Sequence, residues 1–252
     1  MTRWGWLLSL LFLLPNMSKA ADTVTVAVAS NFTQAARDIA AAFEKETGYQ
    51  VLFSVSSSGK LFAQISHGAP FDVFLSADDE RPALLEERGL VVPGTRRTYA
   101  VGRLTLWSVD ERYQGKDCEA ELRAGNFIRL AIANPKAAPY GIAAEEVFAK
   151  LGLDEQQLAR RVAMGESIAQ ALQFVASRSA SMGLIASAQL KLPDIPEGTC
   201  HWQVPQEWHS KIEQQVVLLA RSANNPAAQA FITFLAGEQA RAIILAHGYG
   251  LE

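Results

Sequence analysis

Residues 23–47 read TVTVAVASNFTQAARDIAAAFEKET, and this stretch contains the unit from which the fold is predicted. The first seven residues are apolar or β-branched, which favours a strand. Ser30 and Asn31 follow, and Asn31 with Gln34 three positions later resembles a capping box at a helix start. Apolar residues then recur at helical spacing, at Ala35, Ala36, Ile39, Ala40 and Phe43. The stretch therefore predicts a strand, a short polar turn and a helix.

The same succession of strand, polar turn and helix recurs further along the chain. The four turns contain Ser30-Asn31, the serines and glycine of residues 56–59, Pro139-Tyr140-Gly141, and residues 165–168. Hydroxyl and amide donors, added to the free N–H groups of a helix's first turn, form anion sites. Taken singly, Ser30, Asn31, Ser58 and Ser167 are ordinary N-cap residues. Because the pattern recurs with few basic residues nearby, it favours a doubly charged anion held by uncharged groups.

Alternating strands and helices predict an α/β protein. Two comparable series follow one another, and the plausible crossover points are residues 99–104 and 210–214. We therefore expect two lobes, each a mostly parallel sheet flanked by helices, hinged around a central cleft. Lobe I is assigned residues 21–103 and 213–252, and lobe II residues 104–212. Since ligands bind beyond the carboxyl ends of such strands, the four turns meet in one cleft if the lobes face each other.

Residues 1–20 have the pattern of a secretory signal peptide. Arg3 provides the positive start, residues 7–14 the apolar stretch, and Ser18-Lys19-Ala20 a small-residue cleavage site. The apolar stretch is shorter than the roughly 20 residues of a membrane span. Removal of this segment leaves an excess of acidic residues and a net charge of about −5. That balance argues against a nucleic-acid partner, and it means that affinity for an anion must come from local geometry.

Cys118 and Cys200 are the two cysteines of the chain. In an exported protein such a pair most often forms one disulfide; two separate buried thiols are the alternative, and metal binding is less favoured than either. The four histidines are scattered and lack the spacing of a zinc helix, so no bound metal cation is predicted.

An exported hydrolase is the rival interpretation. Ser57 and Lys60 match the S-x-x-K nucleophile motif of penicillin-recognising enzymes. The supporting motifs are missing, because neither Lys-Thr-Gly nor Lys-Ser-Gly follows downstream. The sequence therefore favours a binding protein without catalytic residues.

Several segments resemble the periplasmic molybdate-binding proteins of ABC importers, and the similarity covers essentially the whole chain after residue 20. The segments are VAVASNFTQAARDIAAAFEKETG, SSSGKLFAQISHGAPFDVFLSAD, NPKAAPYGIAAEEVF, GESIAQALQFV and the closing HGYG. The resemblance implies a type II periplasmic-binding fold. It also implies an exported, monomeric carrier without a cofactor, which captures molybdate or tungstate in the periplasm and delivers it to the membrane subunits of an ABC permease. A carrier of sulfate or another tetrahedral oxyanion is the alternative.

The resemblance also implies which residues bind the anion. They are Ser30, Asn31, Ser58, Tyr140 and the backbone N–H of Ile168, with Ser57 as the alternative to Ser58 in the serine run. Some relatives have a tyrosine after the strand that corresponds to residues 182–185, where this chain has Ala186. Others have an aromatic residue in the Pro-x-Gly turn, and Tyr140 places this chain with that branch.

Overall fold

The computed structural model describes residues 23–153, 158 and 160–251, and within them the strands form two five-stranded sheets. The signal peptide predicted for residues 1–20 lies outside the described residues. No helix in the described part of the chain is long and apolar enough to cross a membrane.

The first sheet has the strand order β2-β1-β3-β10-β4. Its strands are β1 (Thr23–Ala29), β2 (Gln50–Ser56), β3 (Val73–Leu75), β4 (Arg97–Gly102) and β10 (Ile212–Leu218). Its helices are α1 (Thr33–Thr47), α2 (Ser58–Ser66), α3 (Glu80–Glu87), α7 (Pro226–Leu235) and α8 (Glu238–Ala246). The apolar face predicted for α1 is buried, and its Phe43 ring meets Phe231 of α7 edge to face. This packing fixes the start of α1 at the end of β1.

The second sheet has the order β7-β6-β8-β5-β9. Its strands are β5 (Leu104–Ser108), β6 (Leu130–Ala133), β7 (Val162–Gly165), β8 (Met182–Ala186) and β9 (Cys200–Gln203). Helices α4 (Cys118–Arg123), α5 (Pro139–Leu151) and α6 (Ile168–Ala176) belong to this lobe. Cys118 at the start of α4 and Cys200 at the start of β9 form a disulfide, with 5.6 Å between their Cα atoms.

The two-lobed α/β architecture agrees with the predicted fold class, but each sheet is mixed rather than mostly parallel. In the first sheet β1 runs parallel to β2 and β3, whereas β10 is antiparallel to β3 and β4. In the second, β6 runs parallel to β7 and β8, and β5 is antiparallel to β8 and β9. The strands that run antiparallel to their neighbours are β5 and β10. Each of them follows a point where the chain passes from one sheet to the other. Because β1, β2, β6 and β7 keep the parallel arrangement, the turns that follow them lie at the edges of the sheets that face each other.

Candidate anion-binding site

A small cavity lies between the two sheets, at the carboxyl ends of four strands. About 180 Å³ of empty space lies between the lining residues, with the open solvent at its edge included in that volume. The residues that line it are Ala29, Ser30, Asn31, Ser57, Ser58, Ala77, Ala138, Pro139, Tyr140 and Ile168. Every turn singled out in the sequence contributes to this lining. Among the described residues that line it, none has a charged side chain, so the cavity offers hydroxyl groups, an amide and the N–H groups of helix starts.

The turn after β1 is a short 3₁₀ helix, Ser30–Phe32, that leads directly into α1. The predicted capping box is wrong, because no side chain caps either helix and Gln34 instead donates to Asp38. The side-chain amide of Asn31 donates to Gln214 Oε1 at 2.8 Å and to the Tyr249 hydroxyl at 3.2 Å. Since both amide hydrogens are engaged, a hydrogen bond from Asn31 to an anion must come from its backbone N–H.

The turn after β2 places two serine hydroxyls in the cavity lining. Ser58 Oγ accepts a hydrogen bond from the Ala77 N–H at 2.9 Å, which leaves its own hydrogen available. Ser57 is the N-cap residue of α2, but its side chain caps nothing. In the described part of the chain, Ser57 Oγ is the one buried side-chain oxygen or nitrogen that has no hydrogen-bond partner. A buried polar group left unpaired costs about 1–3 kcal/mol, which a ligand in the cavity would offset.

Tyr140 comes from lobe II and is almost completely buried. Pro139 occupies the first turn of α5, so the phenol projects from the start of that helix. The Tyr140 hydroxyl accepts a hydrogen bond from Gln214 Nε2 at 3.3 Å. Burial raises the pKa of Tyr140 well above its usual value, and contacts with Gln214 and Asn31 oppose this effect only in part. The phenol therefore stays protonated at neutral pH and can donate to an anion.

Ile168 is the first residue of α6 and is buried. Its backbone N–H belongs to the first turn, where no carbonyl of the same helix is available as an acceptor. The preceding residue, Ser167, caps the helix by accepting from the Gln170 N–H. Ser167 therefore has the ordinary capping role, and Ile168 is the residue of this helix start that lines the cavity.

Three contacts join the two lobes close to the cavity lining. The Gly59 N–H donates to the Ala137 carbonyl at 2.9 Å, and Arg81 Nη2 donates to the Lys136 carbonyl at 3.5 Å. Lys60 Nζ lies 2.9 Å from Glu166 Oε2, with both side chains at least half exposed. An exposed ion pair of this kind contributes between 0 and about 1 kcal/mol. Because Lys60 pairs with Glu166 and gives Ser57 no hydrogen bond, the arrangement needed for a Ser-Lys nucleophile is not formed.

A largely buried ion pair lies beside Ala77 of the cavity lining. Asp78 is ion-paired with Arg81 and accepts a hydrogen bond from Ser76 Oγ at 2.9 Å. Burial raises the pKa of Asp78, while the Arg81 charge and hydrogen bonds lower it. The guanidinium thus compensates a carboxylate that would otherwise repel an anion in the cavity.

Comparison with known proteins agrees with this architecture. Residues 24–250 match the family of bacterial extracellular solute-binding proteins. The chain belongs to this family.

Two relatives are named molybdate-binding protein ModA. The protein of Azotobacter vinelandii is 47% identical over 240 residues, covering 95% of this chain and 94% of the relative. The protein of Rhodobacter capsulatus is 44% identical, covering 92% and 90%. The solved structure of the periplasmic molybdate-binding protein of Azotobacter vinelandii superposes with a TM-score of 0.84 at 38% identity, covering 91% of this chain and 99% of that one.

Three residues behind the cavity of this solute-binding protein were not identified from the sequence. Gln214 is fully buried on β10, and Tyr99 on β4 and Tyr249 near the end of the chain pack around it. Tyr99 donates to the Ser76 carbonyl and lies 3.2 Å from Gln214 Oε1, and Tyr249 donates to the Asn31 carbonyl at 2.7 Å. These groups hold Asn31 and Tyr140 in place. The sequence signal that could have identified Gln214 is a polar residue at an inward-facing position of a largely apolar strand.

Proposed function

We propose that this protein captures molybdate or tungstate in the cavity between its lobes and delivers the anion to the membrane subunits of an ABC permease. The observation that carries the proposal is the convergence of four uncharged strand-end turns, from both lobes, on one cavity that contains an unpartnered buried hydroxyl. The two ModA relatives are similar to this chain over nearly its whole length, which supports the same ligand.

The proposed ligand groups are the hydroxyls of Ser30, Ser58 and Tyr140 and the backbone N–H groups of Asn31 and Ile168. Ser57 adds a further hydroxyl donor, and its lack of a protein partner supports its inclusion. A fully ionised tetrahedral oxyanion accepts hydrogen bonds and offers no hydrogen of its own. Each charge-assisted bond is roughly twice as strong as a neutral one, so fixed neutral donors can hold the dianion without a counter-charge.

The remaining features of the proposal concern the whole molecule. We assign residues 21–103 and 213–252 to one lobe and residues 104–212 to the other; β10 of the first sheet begins one residue before the second boundary, at Ile212. We place the protein in the periplasm, as a monomer without a resident cofactor and without catalytic activity. The lobes close on the anion, and the permease recognises the closed form.

Calorimetric titration of the purified chain with four anions tests the ligand assignment. We expect saturable binding of one molybdate or one tungstate per chain, and binding of sulfate and phosphate weaker by at least about tenfold, which is 1.4 kcal/mol. Sulfate and molybdate carry the same charge and number of oxygens, so this comparison isolates the fit of the cavity. Equal affinity for sulfate would replace molybdate with a general oxyanion ligand, and turnover of an ester dependent on Ser57 would restore the hydrolase.

Gly59→Ala is expected to weaken molybdate binding by about 1 kcal/mol, the lower end of the cost of overpacking. A Cβ atom at this position would lie 3.0 Å from the Cα and carbonyl oxygen of Ala137 in the other lobe. Because both atoms are backbone, the lobes would have to separate slightly. Alanine also favours helix, so the unliganded protein should unfold at an equal or higher temperature.

Ala63→Gly is the matched control, since Ala63 is exposed on the same helix, α2. It should lower stability and leave the molybdate affinity unchanged. If Gly59→Ala binds molybdate as tightly as the native protein, the contact between Gly59 and Ala137 does not limit closure.

A further inference from the structure

We infer that Gln214 is a positioning residue that directs the Tyr140 hydroxyl hydrogen into the anion cavity; this inference rests on the proposed function. Gln214 is fully buried and does not line the cavity. It contacts two cavity residues from opposite lobes, Tyr140 of lobe II and Asn31 of lobe I. Its side chain therefore links the two halves of the site from behind.

The hydrogen bonds around Gln214 fix the orientation of its amide. Its oxygen accepts a hydrogen bond from Asn31 Nδ2 at 2.8 Å, and the Tyr99 hydroxyl, which donates to the Ser76 carbonyl, lies 3.2 Å away. The reversed amide would place its NH₂ group against that of Asn31, and two donors cannot satisfy each other. The Gln214 nitrogen must therefore face the Tyr140 hydroxyl, which is the contact observed at 3.3 Å.

This orientation determines what Tyr140 can do. A hydroxyl has one hydrogen and accepts through its lone pairs. Because Gln214 donates to the oxygen, the Tyr140 hydrogen must point away from Gln214, and Tyr140 lines the cavity. Without this amide, the phenol could turn its hydrogen toward a protein acceptor and lose it for the ligand. The amide thus makes Tyr140 a donor to the anion.

The position of Gln214 next to the connection between the lobes makes this effect dependent on closure. Gln214 pairs with Ala100 on β4, at a register shift in the β10–β4 ladder, and Gly102 ends β4 directly before lobe II begins. A Cβ atom at Gly102 would collide with the Tyr140 hydroxyl and approach Gln214 Nε2 to 2.9 Å. Glycine is therefore required for the phenol to reach the amide. Because Gln214 belongs to lobe I and Tyr140 to lobe II, separation of the lobes would break this contact.

Gln214→Glu tests the inference, because a residue with a purely structural role would not make molybdate binding depend on pH in the way described here. An ionised carboxylate only accepts, so it would draw the Tyr140 hydrogen away from the cavity, and its charge would repel the anion. The protonated carboxyl is nearly isosteric with the amide and can donate to the phenol. Binding should therefore require the protonated form, and molybdate affinity should fall by up to about tenfold per pH unit between pH 6 and pH 8.

The native protein should change by less than about twofold over the same range. The groups that face the Gln214 side chain are the phenols of Tyr99, Tyr140 and Tyr249, whose pKa values burial raises further above this window, and Asp78 lies beside Tyr99. Molybdate affinity of the native protein, measured over the same pH range, shows how much of any change comes from Asp78 or from protonation of the anion. Gln215→Glu is the matched control, because Gln215 contacts Arg96 and Thr98 outside the cavity. Its profile should match that of the native protein.

A second variant, Gln214→Met, removes the amide without adding charge. It should weaken molybdate binding by about tenfold in the native background and by less than about threefold in a Tyr140→Phe background, since the two residues act together. Equal losses in both backgrounds, or a flat pH profile for Gln214→Glu beside a native protein that binds molybdate, would overturn the inference. Failure of the native protein itself to bind molybdate would instead overturn the proposed function. Recovery of Gln214→Glu at pH 6 supports the inference and shows that the variant folds.

Discussion

Replacing Cys118 and Cys200 together by alanine is expected to lower the free energy of unfolding by about 2–4 kcal/mol. The two cysteines are 82 residues apart and are bonded, so the cross-link closes a long loop that contains β6, β7 and β8. Such a cross-link removes conformations from the unfolded chain, and its effect grows with loop length. Both residues are buried in lobe II and neither lines the cavity. Urea denaturation of the two proteins measures the difference.

Two controls separate the cross-link from the loss of sulfur atoms. The native protein under reducing conditions should lose most of the same stability, and the single variant Cys118→Ala should match the double variant. Molybdate affinity should stay within about twofold in all of them, because the ligand groups come from other turns. Equal stability of the native and double-variant proteins would show that the bond does not stabilise the lobe.

The convergence of the four turns was predictable because it follows from a local pattern and one topological rule. Each turn joins an apolar strand to a helix whose first residues carry Ser, Asn or Tyr. Parallel strands present their carboxyl ends at one edge of the sheet, so residues such as Ser58 and Tyr140 were expected to meet if the lobes faced each other. The structure places them in one cavity. Their role in binding an anion stays a prediction.

The support behind the cavity was not predictable in the same way. Gln214 and Asn31 are 183 positions apart, and Tyr249 and Asn31 are 218 apart, so no local spacing relates them. The side chain of Asn31 has the chemistry of a helix cap, but its amide instead donates to two buried partners, Gln214 and Tyr249. Local sequence thus identified the residue and missed the use of its side chain.

Short elements with mixed composition were missed for a related reason. β4 contains Arg97 and Thr98, and β9 contains His201 and Gln203, which interrupt the apolar pattern of a strand. Their strand conformation comes from antiparallel pairing with β10 and β5, residues distant in sequence. α4 has six residues and depends on the Asp117 cap, which accepts from the Glu119 and Ala120 N–H groups. Tertiary pairing, rather than local preference, therefore determines the two strands, whereas α4 is a short helix with a local cap.

Tyr140→Phe is expected to weaken molybdate binding by about 1.5–3 kcal/mol, which is the contribution of a hydrogen bond to a charged group. The change removes one oxygen atom and preserves the ring, which is buried against lobe II. It also leaves Gln214 Nε2 without its hydroxyl acceptor, so part of the loss comes from lost stability of the closed form. Calorimetric titration measures the affinity, and thermal unfolding without ligand measures the stability.

Tyr113→Phe separates these two contributions, because Tyr113 is an equally buried phenol in the same lobe whose hydroxyl donates to the Asn126 carbonyl at 2.8 Å. Removing that hydroxyl should lower the unfolding temperature and leave the molybdate affinity unchanged, since Tyr113 does not line the cavity. If both variants bind molybdate as the native protein does, the Tyr140 hydroxyl does not touch the anion. The neutral donors would then be the serine hydroxyls and the backbone N–H groups, and recognition would depend chiefly on the helix starts.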